Sequence, residues 1–456
     1  MKRLTILSLC LMLLTGLFTP ALSEEKLQAL PAIFAVSAVS ESRYEGDKTQ
    51  YIQKDRITTT SDVVNAELNR LVDEMDERYS PLLVEQSSVK AKLYNRLDIE
   101  INYFRTGESA LSTLILARNT YKKKVKDVFF TTRTYDLVTG KRILLTDLFP
   151  NDSKAWDILS KGVKDTLSSA FPKEERDAQV IESLSSRASL EQAEFTLSGM
   201  ELTLHYDTRA LFPEKTGLMH VRFLYPQFDG MMTETGKRQT DNSRFKMVAI
   251  TCDDGPRGTG TDKALHNFRH AGIRVTYFTV GKLYDESFAL LRREYDANHL
   301  IANHSWNHWN GHGLDHPARL KQVNKVQEYV TDHLGETPRL FRAPCGTYPK
   351  WIESAIGLPI IQWSVDTYDF KGLSAPDIIR SVRKFTQEGD IILMHDTGET
   401  MHKTIPQIAE YLWGHGFMPV TVEELAAAQH VTLEPNIVYH RFLNGDYSER
   451  RDSNTD

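Results

Sequence analysis

The sequence predicts an α/β fold class, a distorted (β/α)7 barrel in the C-terminal half preceded by a smaller α+β domain, and three observations carry that reading. The length, 456 residues, exceeds one ordinary compact domain. From Lys246 to Val422, apolar strand-like runs alternate with helical patterns. From Tyr44 to Phe228, helices and alternating strands follow each other without that regularity, as in α+β domains.

In the first region, Val63, Val64, Leu68, Leu71, Val72 and Met75 recur at helical spacing, which predicts a helix over Ser61–Tyr79 with Ser61 or Asp62 at its cap. Leu97, Ile99, Ile101 and Tyr103 alternate with polar residues as a strand does. Val128–Tyr135 leads to a turn at Thr139-Gly140 and a second strand over Lys141–Leu145. Ala155–Phe171 reads as helix, and Glu194–Ser198, Glu201–Tyr206 and Met219–Tyr225 read as strands. No titratable cluster here has catalytic spacing. Residues 229–245, through Asp229-Gly230 and Thr235-Gly236-Lys237, are polar and turn-rich and read as a linker.

The second region, residues 246–428, offers seven strand candidates: Met247–Thr251, Val275–Val280, Leu300–Ala302, Leu340–Phe341, Ile360–Trp363, Ile391–Met394 and Met418–Val420. Helix candidates at Thr261–Ala271 and Ala318–Leu334 end on Gly272 and Gly335. Such repeats suit a parallel barrel or a doubly wound sheet, and seven strands fit the distorted barrel best. Residues 429–456 read as a polar tail.

Hydrophobic content of 41% with 25% charged residues is that of packed globular chains. Lys2 and Arg3, the apolar run Leu4–Phe18 and Ala21-Leu22-Ser23 have the pattern of an export signal over residues 1–23, with an uncleaved anchor as the alternative. The expected location is periplasmic, cell-wall-associated or secreted. Formal net charge is −6, and −8 without Lys2 and Arg3, so the basic footprint of nucleic-acid binding is missing. Only Cys252 and Cys345 remain after cleavage, too few for a disulfide scaffold, although one bond between them is conceivable on these counts.

Unusual residues gather where the strand candidates end, the place where barrels keep their chemistry. Asp253-Asp254-Gly255 ends the first, His304 and His308 follow the third, Arg342 the fourth, Asp366 the fifth, and His395-Asp396 the sixth. His304 and His308 share one face if the chain turns helical there. Two histidines and one carboxylate leave a coordination position open, as catalytic zinc sites do. An HxxxH pair also occurs on plain surfaces, and His312 and His316 repeat the spacing. Two adjacent acids repel unless a cation or a shared proton separates their roles, so one is assigned to a metal and the other to proton abstraction. A turn-forming Asp-Asp-Gly is the plain alternative. Trp306, Trp309 and Tyr368 are candidates for stacking on sugars.

In this order the segments Thr251-Cys252-Asp253-Asp254-Gly255-Pro256, His304-Ser305-Trp306-Asn307-His308, Arg342-Ala343-Pro344-Cys345-Gly346, Asp366-Thr367-Tyr368-Asp369-Phe370 and Leu393-Met394-His395-Asp396 resemble the five motifs of the NodB-homology polysaccharide deacetylases, carbohydrate esterase family four. The resemblance implies one divalent metal on Asp254, His304 and His308, zinc first, with cobalt or nickel also compatible. It implies Asp253 as general base, oriented by Arg342, and His395 as general acid, partnered by Asp366. It further implies an oxyanion-stabilising backbone N–H at Cys345, and an acetyl pocket walled by Phe370 and Leu393. The reaction would be hydrolysis of N-acetyl groups on peptidoglycan or a chitin-like polymer. The family has Phe, Tyr and Trp where Cys252, Cys345 and Phe370 stand, which leaves substrate preference open. Thr134–Lys141 with Leu144–Phe149 resembles extracytoplasmic domains found beside anti-sigma-factor-like proteins and some peptidoglycan deacetylases; over residues 44–228 that implies no chemistry. A catalytically silent glycan-binding envelope protein and a hydrolase of another amide are the competing readings.

Overall fold

The computed structural model describes residues 32–46, 48–83, 95–122, 124–309, 314–347, 356–396 and 398–443. The export signal expected over residues 1–23 lies outside them. Among the described residues no helix is long and apolar enough to cross a membrane.

The N-terminal region builds a six-stranded sheet in sequence order from β1 (Ser37–Glu45), β2 (Gln50–Thr58), β3 (Asn95–Thr106), β4 (Ala110–Tyr121), β5 (Lys124–Asp136) and β6 (Lys141–Arg142). Helix α1 (Asp62–Tyr79), capped by the Ser61 side chain, crosses over between β2 and β3, and so these two strands pair in parallel while the others are antiparallel. The expected alternation of β3 is present, but both faces are buried, one under α1 and the other under a second layer. That layer holds α2 (Ala155–Ser169) and the three-stranded sheet of β7 (Phe195–Leu197), β8 (Glu201–Asp207) and β9 (Leu218–Leu224).

Residues 229–245 do not behave as a free linker. Thr233 caps the short helix α3 (Glu234–Thr240), and Gln239 is fully buried. Asn242 accepts from the Gly107 backbone N–H at 2.8 Å and donates to Thr106 Oγ1 at 2.8 Å. Gln239 and Asn242 accept from the Ser109 and Gly107 backbone N–H groups and so satisfy buried donors of the β3–β4 turn.

The C-terminal half is α/β: β10 (Lys246–Asp253), α4 (Gly258–Ala271), β11 (Thr276–Thr279), α5 (Tyr284–Asp296), β12 (Leu300–Asn303), α6 (His316–Leu334), β13 (Ile360–Ile361), β14 (Val365–Asp366), α7 (Ala375–Phe385), β15 (Ile391–His395), α8 (Glu399–Gly414), β16 (Phe417–Val420) and α9 (Val422–Ala428). The strands are parallel in the order β12–β11–β10–β15–β14, with β16 on the first residues of β10. Phe341 bridges Asn303 at the end of β12 to Ile360 in β13, and so hydrogen bonding passes through residues 360–366 and back by β15 to β10. The expected strand at Leu340–Phe341 is only the one residue Phe341, bridged on both sides. Of the expected polar tail, residues 444–456 lie outside the described residues, and residues 429–443 are not loose. β17 (Val438–Tyr439) pairs with β13, and Phe442 is fully buried.

The two halves share one continuous apolar core that includes Ile52, Leu97 and Ile101 with Phe268, Val275 and Leu291. Charged groups are buried along the same junction: Arg269 of α4 reaches Asp55 at 2.8 Å and Glu100 at 3.0 Å, and Arg274 reaches Glu201 at 2.9 Å. Gly272, with φ 63, ends α4 where a Cβ would come within 2.3 Å of the Tyr103 ring, and only glycine fits both constraints. Cutting Arg269 back to alanine leaves Asp55 and Glu100 short of a cation in a buried setting. Arg269→Ala is therefore expected to lower unfolding stability by about 3–5 kcal/mol in a denaturant titration; a change under about 1 kcal/mol would mean that the junction tolerates an unpaired acid.

Candidate active site

Each chemical group stands at the C-terminal end of a parallel strand. Cα register places Thr251 opposite Leu393, and Asp253 opposite His395, so the period of two sends these four side chains to one face. Cys252 and Met394 face the other way. Burial and the nearby Asp396 carboxylate push the Cys252 thiol far up, and both Cys252 and Cys345 are free thiols.

Arg342 is the hub. Its guanidinium is wholly buried and donates to Asp253 Oδ1 at 2.7 Å, Thr251 Oγ1 at 2.8 Å, and the carbonyls of Ile361 and Gln362 at 3.0 Å each. It also lies over the Phe278 ring at 4.1 Å. Its own carbonyl accepts from His304 Nδ1 at 2.9 Å. That bond fixes the tautomer, leaving a lone pair on His304 Nε2.

His304 Nε2 lies 3.6 Å from both Asp253 Oδ2 and Asp254 Oδ1, and His308 Nε2 lies 3.0 Å from Asp254 Oδ1. The chain between the histidines does not turn helical. Ser305 and His308 take left-handed φ values of 64 and 56, and this irregular loop brings the two rings to 5.1 Å. Asp254, with φ 73, turns its side chain to the same point. Burial lowers the His304 pKa; burial also pushes the Asp254 carboxyl up, but His308 and His304 outweigh it and hold it at about 2.

These residues fit a divalent cation. Asp254 Oδ1 is buried and makes no hydrogen bond despite its two imidazole neighbours. Its lone pairs and that of His304 Nε2 face each other, which is repulsive unless a cation or protons sit between them. Asp254, His304 and His308 bring their ligand atoms within 4.8 Å of one another. Of the histidines with repeated spacing, His312 lies outside the described residues and His316 opens α6 behind the Asp315 cap.

Across the site His395 Nδ1 is 2.8 Å from Asp369 Oδ1, and the His395 N–H donates to Asp369 Oδ2 at 2.8 Å. The partner of His395 is thus Asp369, not Asp366 as expected. Asp366 is spent accepting from the Tyr368 N–H at 2.7 Å, and the left-handed Tyr368 (φ 54) turns the chain so that Asp369 points inward. Burial raises the Asp366 carboxyl, while its hydrogen bond to Tyr368 works the other way. Burial alone would lower the His395 pKa; the Asp369 contact overrides it and lifts the group to about 9.

Phe370 is 60% exposed and stands edge-on to His395 at 5.6 Å, while Leu393 is buried on β15. Cys345 is exposed in the Pro344–Gly346 turn with φ 59, close enough to Asp254 for that charge, after burial, to raise its thiol. Trp306 packs against Gly281 and the Tyr284 and Tyr329 rings, and Arg319 covers Trp309, so of the three aromatic candidates Tyr368 is the exposed one.

Two histidines and one carboxylate that could hold a cation, beside an arginine-held carboxylate and an acid-poised imidazole, have the make-up of a hydrolytic site. Residues 240–357 match the family model described as polysaccharide deacetylase. The peptidoglycan-N-acetylglucosamine deacetylase PgdA of Listeria monocytogenes serotype 1/2a (strain 10403S) is 34% identical over 188 residues, 40% of this chain and 39% of that protein. The peptidoglycan-N-acetylmuramic acid deacetylase PdaC of Bacillus subtilis (strain 168) is 30% identical over 192 residues, 41% of this chain and 40% of that protein. A solved structure of PdaC is 28% identical over 42% of this chain and 94% of that one, with a TM-score of 0.40. The chain thus spans about two fifths of the length of the curated relatives it matches.

The ligand set has a direct test. Titrating Zn2+ into chelator-treated protein by calorimetry is expected to give one site in the unmodified protein and in Asp253→Asn. Asp254→Ala and His304→Ala should bind at least about tenfold more weakly. Retained affinity in Asp254→Ala with loss in Asp253→Asn would reverse the two acids.

Proposed function

We propose that this protein is an exported, metal-dependent polysaccharide N-deacetylase that hydrolyses acetamides on an aminosugar polymer, peptidoglycan or chitin-like, releasing acetate. The observation that carries this reading is the pairing of two oriented proton-transfer groups, Asp253 on Arg342 and His395 on Asp369, on either side of a cation-ready trio. The strand pairings are read as the distorted barrel that supports such a site.

A divalent ion held by Asp254, His304 and His308 would supply Lewis acidity toward the acetamide oxygen. Asp253 uses Oδ1 on Arg342 and keeps Oδ2 on the side of His304, placed to take a proton from the attacking water. The water oxygen bonds to the acetyl carbon, and the Cys345 backbone N–H is the proposed donor to the developing oxyanion. His395, protonated and fixed through Nδ1, delivers a proton from Nε2 to the nitrogen as the C–N bond breaks. Acetate and a free amine result. Phe370 and Leu393 are proposed to wall the methyl group. A silent glycan binder would have no need of both proton-transfer groups in oriented form.

Two outcomes test this. Asp253→Asn should retain metal yet lose about 10²-fold or more in acetate release; an active Asp253→Asn would place the base elsewhere. His395 must be protonated to act, so with its pKa raised to about 9 the rate should fall as pH rises through that value. Asp369→Asn removes the group that raises it, and the alkaline limb should move toward the ordinary imidazole range near 6.5. An unmoved limb would assign it to another group.

A further inference from the structure

The turn that carries Asp369 has an outward face that the acid role leaves unused. Asp369 is committed inward by both oxygens, and its Oδ1 also accepts from the Phe370 N–H at 3.0 Å. Tyr368 and Gly372, both left-handed with φ of 54 and 68, bracket the turn. The segment is therefore fixed to the base of His395, and the side chains it presents outward stand at set positions.

Those side chains are Tyr368, Phe370 and Lys371. Both rings are exposed, at 39% and 60%, with centroids 6.4 Å apart. Lys371 is exposed, and its Nζ rests 4.2 Å over the Tyr368 ring and 5.7 Å from that of Phe370. It forms no ion pair among the described residues. Asp369 is already paired with His395, and Lys371 is the one cation this turn presents to solvent.

We propose that Tyr368, Phe370 and Lys371 form a subsite for a glycan that carries a carboxylate, with the rings against the sugar and Lys371 on the acid group. Exposed apolar rings offer a sugar an amphipathic contact, and the cation–π contact keeps the ammonium over the platform while leaving donors toward solvent. The carboxylate could be borne by the sugar ring, as a lactyl ether, or by a peptide attached to it; the chemistry recognised is the same. The inference rests on the deacetylase reading and narrows its substrate to acidic aminosugar polymers.

The test compares the full-length, metal-loaded protein with Lys371→Gln and Lys371→Arg on three tetrasaccharides. One is N-acetylglucosamine only, one alternates it with N-acetylmuramate bearing free lactyl acids, and one has those acids in peptide linkage. Affinity by calorimetry and kcat/KM by acetate release are both read. The unmodified protein is expected to prefer an acidic tetrasaccharide over the neutral one by about three- to tenfold, a preference that shrinks with salt. Lys371→Gln should abolish the preference and Lys371→Arg should keep it. Preference for the lactyl form places the acid on the ring; preference for the peptide form places it on the stem. An equal preference in Lys371→Gln, or none in the unmodified protein, overturns the subsite. If the affinity preference follows Lys371 but no tetrasaccharide releases acetate, the subsite stands and the deacetylase reading falls.

Discussion

Burying a guanidinium is costly unless its N–H groups find acceptors. Arg342 finds them on two different strands, Thr251 and Asp253 of β10 and the carbonyls of residues 361 and 362. Its side chain thus locks the first catalytic strand to the far side of the ring of pairings. Its backbone carbonyl holds His304. One residue therefore sets the direction of the Asp253 carboxylate and of the free nitrogen of His304, so the two cannot be displaced independently.

The same economy governs the acid side. Asp369 satisfies both the ring and the backbone N–H of His395. Low solvent access strengthens that contact, which is why the imidazole keeps its proton where burial alone would remove it. The N-terminal sheet adds no group to this chemistry. Its contribution is to cover α4 and α5, the helices that follow the first two strands, with apolar surface and paired charges.

Much of this was legible in the residues. Continuous apolar runs ending in Asp253-Asp254, His304 and His395 marked the strand ends, because a strand that closes on charged groups has few structural reasons to do so. The choice between Asp366 and Asp369 was not legible. It is decided by a left-handed residue, Tyr368, and neither spacing nor composition carries a φ angle. The loop that joins His304 to His308 was hidden for the same reason, with Ser305 and His308 both left-handed. β1, β2 and β4 were passed over; β1 is an exposed edge whose residues lack an apolar period. Residues 234–240 and 429–443 misled through polarity, since their polar groups are spent on buried backbone partners and on β17.

β17 has a consequence for the order in which the molecule is assembled. The Gln362 N–H donates to the Tyr439 carbonyl at 2.7 Å, the Ile360 N–H to that of Ile437 at 2.9 Å, and the Phe442 N–H to that of Gly389 at 2.7 Å. The strand that offers its carbonyls to Arg342 is therefore itself incomplete until residues near 442 have left the ribosome. Contacts this distant in sequence form late and slowly. The cradle of Arg342 closes only once residues up to Phe442 are present, so a nascent chain stalled before that point has the site residues without the site.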